Sequence, residues 1–151
     1  MRGHIFKLEI ENYKKCSNIW DMEKNNKFAE KFYNELLSGN RITYVYALDD
    51  EYIAEISLVY NMNDSDYTIP NKRAYVSRLI VKPEYRRKGI GKALVDFIKH
   101  TANKLGLDEL SIGVDIDNYP ALKLYVESGF DKIIYIGKDE QGQYVKLLSV
   151  I

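Results

Sequence analysis

Apolar residues recur with period two in some stretches of the chain and at helical spacing in others. These switches lay out an order of strands and helices. His4 to Ile10 sets Ile5, Lys7 and Glu9 against Phe6, Leu8 and Ile10 and predicts a first strand. From Ser17 to Ser38 the spacing turns helical. Phe28, Phe32, Leu36 and Leu37 share a face there, and Gly39-Asn40 is a stop signal. Arg41 to Leu48 and Tyr52 to Tyr60 are rich in β-branched and aromatic residues, with Asp49-Asp50 as a tight turn between them. Asn61 to Lys72 is polar and reads as a long connection, a kind that often carries function.

The second half is patterned more sharply. Arg73 to Val81 predicts a strand ending at Lys82-Pro83. Ile90 to Leu105 predicts a helix that places Ile90, Leu94, Phe97, Ile98, Thr101, Ala102 and Leu105 on one face, with Gly106 closing it. Leu110 to Val114 is a short strand. Pro120 to Ser128 is a helix opened by proline and closed by Gly129. Ile133 to Gly137 and Tyr144 to Ile151 form a closing pair of strands. This order describes a mixed α/β (α+β) sheet of about six or seven strands with about four helices. The 151 residues fit one domain spanning 1–151. If the strands flanking residues 90–105 are parallel neighbours, their crossover is right-handed.

Composition narrows the function classes. Twenty-two basic and 22 acidic side chains cancel, so no global field draws the chain to nucleic acid or an anionic membrane. The single cysteine, Cys16, excludes an internal disulfide and suits a reducing compartment; packing is its main reading, with nucleophilic catalysis as the minor one. Met1 to Ile10 has no long apolar run and does not read as a signal peptide, and no stretch approaches the ~20 apolar residues of a membrane span. A soluble cytoplasmic protein is expected. His4 and His100 are isolated, and no metal site is expected.

The candidate chemistry begins after the strand ending at Val81, where the chain reads KPEYRRKGIGKAL. Gly89 and Gly91 open a helix amid Arg86, Arg87, Lys88 and Lys92. Free N–H groups at a helix start converge on an anion, and glycine lets the backbone approach it. A P-loop calls for Ser or Thr after Lys92, where Ala93 stands. A dinucleotide fingerprint calls for a third glycine, where Leu94 stands. On this stretch alone, a solvated basic turn remains the other reading.

Arg86-x-x-Gly89-x-Gly91, after a strand and Pro83, resembles the acyl-CoA-binding motif of the GCN5-related N-acetyltransferases. Asn118-x-x-Ala121-x-x-Leu124-Tyr125-x-x-x-Gly129-Phe130 is similar to that family's segment along the pantetheine arm. The resemblance covers the element order of the whole chain and is specific from about Tyr75 to Phe130. It implies acetyl-CoA as co-substrate, with Arg86, Arg87, Lys88, Gly89, Ile90, Gly91 and Lys92 around the pyrophosphate. Leu79, Ile80 and Val81 would splay from the neighbouring strand and offer backbone groups to the pantetheine. An N–H near Ile80 or Val81 would polarise the thioester carbonyl, a role worth about 3 kcal/mol per donor. Asn118 would contact cofactor, cap a helix, or do both, and Ala121 would be small where the helix abuts the cofactor.

The same resemblance makes Tyr125 the proton donor to the departing thiolate. Transfer from a phenol of pKa about 10 to a thiolate of about 8.5 is uphill by roughly 2 kcal/mol, so hydrogen-bond donation is the minimum role. Two glutamates used elsewhere in the family are missing. Tyr75 stands where histone acetyltransferases carry one, and Gly113 where acetylases of ribosomal-protein N-termini carry another. The remaining acids are Glu55, Asp115 and Asp117, expected to attract a cationic amine and help remove its proton; the competing reading of each is a solvated acid. The expected activity is therefore acetyl transfer to a primary amine, on a small molecule, with Asn61 to Lys72 forming part of the acceptor wall. A peptide or protein amine is the alternative acceptor, and a non-catalytic acyl-CoA-binding module the alternative class. No nucleic-acid or membrane partner is expected, and a homodimer is compatible with the sequence.

Overall fold

A computed structural model describes residues 3–151, so Met1 and Arg2 of the N-terminal reading lie outside the described residues. Among the described residues, seven strands form one sheet in the order β1-β2-β3-β4-β5-β7-β6: β1 (Gly3–Lys7), β2 (Arg41–Leu48), β3 (Glu51–Val59), β4 (Arg73–Val81), β5 (Glu109–Asp115), β6 (Lys132–Asp139) and β7 (Gly142–Val150). Three α-helices accompany them, α1 (Asn26–Ser38), α2 (Ile90–Lys104) and α3 (Tyr119–Glu127), with 3-10 segments at Ile10–Asn18 and Pro83–Tyr85. The mixed sheet expected from the sequence is the sheet observed. β1 pairs antiparallel with β2, β4 parallel with β5, and β7 antiparallel with both β5 and β6.

The chain divides into two compact units. Of the described residues, the first comprises 3–58 and Ser77–Leu94, the second Val59–Val76 and Val95–Ile151. Within the first, Leu8, Tyr13, Cys16, Trp20, Phe32 and Val45 are core. Within the second, Ile98, Leu110, Phe130 and Leu147 are buried. The β4–β5 ladder pairs Arg73–Tyr75 with Glu109–Ser111, and β4 passes into the first unit after Val76. Inside β4, Arg78 has a φ of 60°, a left-handed conformation that interrupts the regular pleat.

Of the helix expected over Ser17 to Ser38, α1 covers Asn26–Ser38; Ser17 and Asn18 end a 3-10 segment, Ile10–Asn18, that begins earlier, and residues 19–25 are not helical. Asn12 donates to the Glu9 carbonyl and Ile19 to the Cys16 carbonyl, short i→i−3 bonds that hydrophobic spacing does not distinguish from α-helix. Of the face expected to be buried on α1, Phe32 is buried while Phe28 and Leu37 are exposed. Leu105 likewise falls one residue beyond α2 and is exposed.

Phe130 is fully enclosed and lies edge-on to Tyr125, ring centroids 6.2 Å apart. Phe130→Ala leaves a ring-sized void, and the expected cost is about 3–5 kcal/mol of unfolding free energy, read from denaturant midpoints.

Candidate active site

In the first unit, the turn after β4 is built by alternating backbone conformations. Pro83–Tyr85 makes a 3-10 turn, Arg86 is extended, and Arg87 and Gly89 are both left-handed, with φ of 62° and 82°. A Cβ at Gly89 would meet nothing within 4 Å, so the backbone there is open to a ligand. The first α-helical bond of α2 runs from Ala93 N–H to the Gly89 carbonyl at 3.0 Å. The amides of Ile90 and Gly91 precede it, at the positive end of the helix. Arg86, Arg87 and Lys88 are exposed around this turn. Arg86 also donates through Nε to the Val81 carbonyl at 3.0 Å, which ties the turn to the end of β4. Leu79, Ile80 and Val81 are half-buried.

The first unit also encloses Glu55. Trp20 Nε1 donates to its carboxylate at 2.8 Å and the Cys16 thiol donates to it as well. Arg41 and Arg78 supply positive charge nearby, the first stacked on Phe32 at 4.0 Å, the second over Trp20 at 4.7 Å. Burial outweighs these partners and lifts the Glu55 carboxyl from its ordinary 4.5 to about 7. The Cys16 thiol is pushed well above its usual range by burial and by Glu55, which keeps it protonated and makes it a poor nucleophile.

In the second unit, Asp115, Asn118, Ala121 and Tyr125 line one open pocket of about 480 Å³. Four residues chosen from sequence thus meet in one place. β5 ends at Asp115, and α3 begins just after Asn118. Asn118 Oδ1 accepts from the Ala121 amide at 3.4 Å, so the asparagine caps α3 while facing the pocket. Tyr125 is 7 % exposed. Burial first, then the neighbouring Tyr75 hydroxyl, raises its phenol to about 12. Asp117, by contrast, is exposed and is not among the residues lining the pocket.

The pocket has further walls that the sequence reading did not single out. Lys146 on β7, Tyr144 and Asp139 face it, as do Asp64 and Tyr67 from the polar 61–72 connection. Lys146 bonds Asp64 at 2.9 Å and Asp66 at 3.0 Å. Its place between Val145 and Leu147 in a period-two strand was the available signal: a lysine there must either face solvent or find acidic partners. Which acids would serve is set by a partner 80 or more residues away, and no local pattern carries that.

Among the described residues no group of three or more metal-ligating side chains clusters, and no helix is long and apolar enough to cross a membrane. The Acetyltransferase (GNAT) family matches residues 5–130, most of the chain. The chain belongs to that family. It is 23% identical over 126 residues to the putative [ribosomal protein bS18]-alanine N-acetyltransferase of Bacillus subtilis, covering 83% of this chain and 72% of that one. It is 38% identical over 60 residues to the chloroplastic GCN5-related N-acetyltransferase 7 of Arabidopsis thaliana, 40% of this chain. There it spans 22% of the relative's length. Among solved structures, PaiA N-acetyltransferase from Thermoplasma acidophilum, in complex with coenzyme A, shares the fold over 100% of both chains, with a TM-score of 0.71 at 21% identity.

Glu55 has a consequence in pH. Its folded-state value lies above the ordinary one, so the folded protein holds an extra proton between about pH 4.5 and about pH 7. The stability this group contributes is complete below the lower value and is lost as pH rises through the upper. Trp20, the single tryptophan, bonds this carboxylate and reports on it. Its fluorescence is expected to titrate with a midpoint near 7, and Glu55→Gln to abolish that step and flatten the stability change between about pH 4.5 and about pH 7.

Proposed function

We propose that this chain is an acetyl-CoA-dependent N-acetyltransferase acting on a primary amine of a small cationic molecule, within one domain over residues 1–151. The carrying observation is the pocket that sets the buried Tyr125 phenol beside Asp64, Asp115 and Asp139. A phenol able to donate to a leaving thiolate and carboxylates able to draw an ammonium are the two chemistries such a transfer needs. Family membership and the coenzyme A complex of the Thermoplasma relative support the cofactor.

In the first unit, the exposed cations Arg86, Arg87, Lys88 and Lys92, with the amides of the Gly89-Ile90-Gly91 turn, would bind the pyrophosphate of acetyl-CoA. Backbone groups of Leu79, Ile80 and Val81 would meet its pantetheine arm and polarise the thioester carbonyl. In the second, Asn118 and Ala121 would border the arm and Tyr125 the sulfur. The amine nitrogen attacks the carbonyl carbon directly: a C–N bond forms, the C–S bond breaks, and the thiolate leaves against the Tyr125 O–H. The ammonium proton goes to Asp115 or to a water it holds. Glu55, with its carboxyl raised to about 7, is the second candidate base, subject to its enclosure by Trp20 and Cys16.

A peptide or protein amine is the second reading of the acceptor, favoured by the similarity to the putative bS18-alanine N-acetyltransferase. The balance of charge and the single cysteine support a cytoplasmic setting.

Thiol release from acetyl-CoA, measured against polyamines, aminoglycosides, amino acids and peptides, tests the proposal; release with no amine in the library would remove it, and release with peptides alone would move the acceptor to the second reading. Tyr125→Phe is expected to lower kcat about a hundredfold while leaving acetyl-CoA affinity in place. Unchanged turnover would take the phenol out of the mechanism. Asp115→Asn with Asp117→Asn is expected to raise acceptor KM about tenfold, and no change would return both to the role of solvated acids.

A further inference from the structure

Gly113 lies on β5 with a backbone conformation open to any residue, yet a Cβ placed there would come within 2.5 Å of the Tyr67 hydroxyl oxygen and 3.3 Å of its ring carbon Cζ. The space above Gly113 therefore belongs to a side chain from the 61–72 connection. Tyr67 is not free to withdraw. Its ring lies against Tyr75, centroids 4.6 Å apart, and the Lys146 ammonium sits over its face at 4.7 Å. Its carbonyl accepts from Ser111 Oγ at 2.6 Å, and its amide donates to the Asp64 carbonyl at 3.0 Å. Lys146, only 8 % exposed, binds Asp64 and Asp66, which precede Tyr67 by three residues and by one.

All of Tyr67, Tyr75, Gly113 and Lys146 line the pocket that holds Tyr125 and Asp115. We propose that Tyr67 is the acceptor-specificity residue of this pocket: clamped over the bare backbone of Gly113, it limits the bulk that can stand beside the reacting amine, and Lys146 is the positioning residue that holds it there. This inference rests on the acetyl-transfer reading of the same pocket. It assigns the acceptor class more narrowly, to primary amines on an unbranched, slender chain. The phenol is raised to about 12, chiefly by burial, so Tyr67 acts as a neutral wall and hydrogen-bonding group and not as a base.

The test uses amines graded by bulk near the amino group: 1,4-diaminobutane, tryptamine and a tetrapeptide with a free N-terminus. The readout is acceptor-dependent thiol release, expressed as the ratio of kcat/KM for tryptamine or peptide to that for 1,4-diaminobutane. A ratio cancels any loss of active protein. Tyr67→Ala is expected to raise it about tenfold or more, the scale on which pocket shape discriminates. Gly113→Ala, which forces the phenol aside, is expected to shift the ratio and lower the melting temperature in the wild-type background and to do neither in the Tyr67→Ala background. Lys146→Met should move the ratio in the same direction as Tyr67→Ala, with Lys146→Arg restoring most of it.

A ratio unchanged by Tyr67→Ala overturns the inference while leaving acetyl transfer intact. An equal effect of Gly113→Ala in both backgrounds overturns the Gly113–Tyr67 coupling whatever the acceptor. A Lys146→Met variant that melts lower with the ratio unmoved overturns the positioning role. Wild-type protein that releases thiol with none of the three amines overturns the slender-chain acceptor, and release with no amine of the wider library defeats the acetyl-transfer reading beneath it.

Discussion

A lysine that is 8 % exposed can remain an ammonium only if acids accompany it into the protein, and the ion pairs of Lys146 with Asp64 and Asp66 organise the second unit around that requirement. The two aspartates sit on the polar 61–72 connection, which would otherwise have little apolar surface with which to pack. Arg73 adds to the anchor by donating from Nη1 to the Asp66 carbonyl at 2.8 Å, and its Nε pairs with Glu109 at 3.1 Å. Asp64 accepts from its own turn, through Oδ1 from the Asp66 amide at 2.9 Å and through its carbonyl from the Thr68 amide at 2.9 Å, and these bonds set the local shape. A stretch that reads as a long polar connection by composition is thus a pocket wall held by ion pairs and turn hydrogen bonds. The Lys146 ammonium, and after it the backbone N–H groups of its own turn, hold the Asp64 carboxyl below its usual value, so the clamp persists in mildly acidic solution.

The buried charge in the first unit follows different rules. Glu55 has two guanidinium groups near it but accepts side-chain hydrogen bonds from an indole N–H and a thiol, and burial still raises it to about 7. Nε of Arg78 has no partner, and the residue adopts a left-handed backbone inside β4. Strained backbone, an unsatisfied donor and a carboxyl near neutrality in one cluster are expensive features, and such costs concentrate where a protein uses them. Glu55 therefore carries more chemical interest than a satisfied core acid would, even though indole and thiol now enclose it.

How far the sequence reached depends on the range of the interaction behind each feature. β4, with its β-branched run, begins and ends where the alternation does, and α2 is bounded by Gly89 and Gly106, so local propensity and caps settle both. Tyr125, Asn118 and Ala121 were legible because they stand at fixed spacing on one short helix. The 3-10 segment Ile10–Asn18 was not, because its apolar side chains Tyr13 and Cys16 suit either helix type and only packing chooses. Tyr67 and Lys146 were illegible for a stronger reason. Their roles arise from contacts spanning 44 residues to Ser111 and 82 to Asp64, and neither residue type announces a partner. Gly113 could be read only as an absence, a missing glutamate; the tyrosine that fills the space is a fact of tertiary structure alone.

Burial changes what Tyr125 can contribute. From a phenol at about 12 to a thiolate at about 8.5, full proton transfer is uphill by about 5 kcal/mol, against roughly 2 for an ordinary tyrosine. A donor so reluctant to ionise is nonetheless a constant one, since its O–H is present across the whole range in which an amine can be both bound and deprotonated. Its hydrogen bond strengthens as negative charge grows on the sulfur, and for a phenol only 7 % exposed that gain is larger than in solution. The rate advantage then comes from stabilising the thiolate as it forms, with the proton arriving from solvent after the products separate. The same burial that makes Tyr125 a poor acid makes it a good partner for an anion, and the enclosed Phe130, edge-on to its ring, is part of the packing around it.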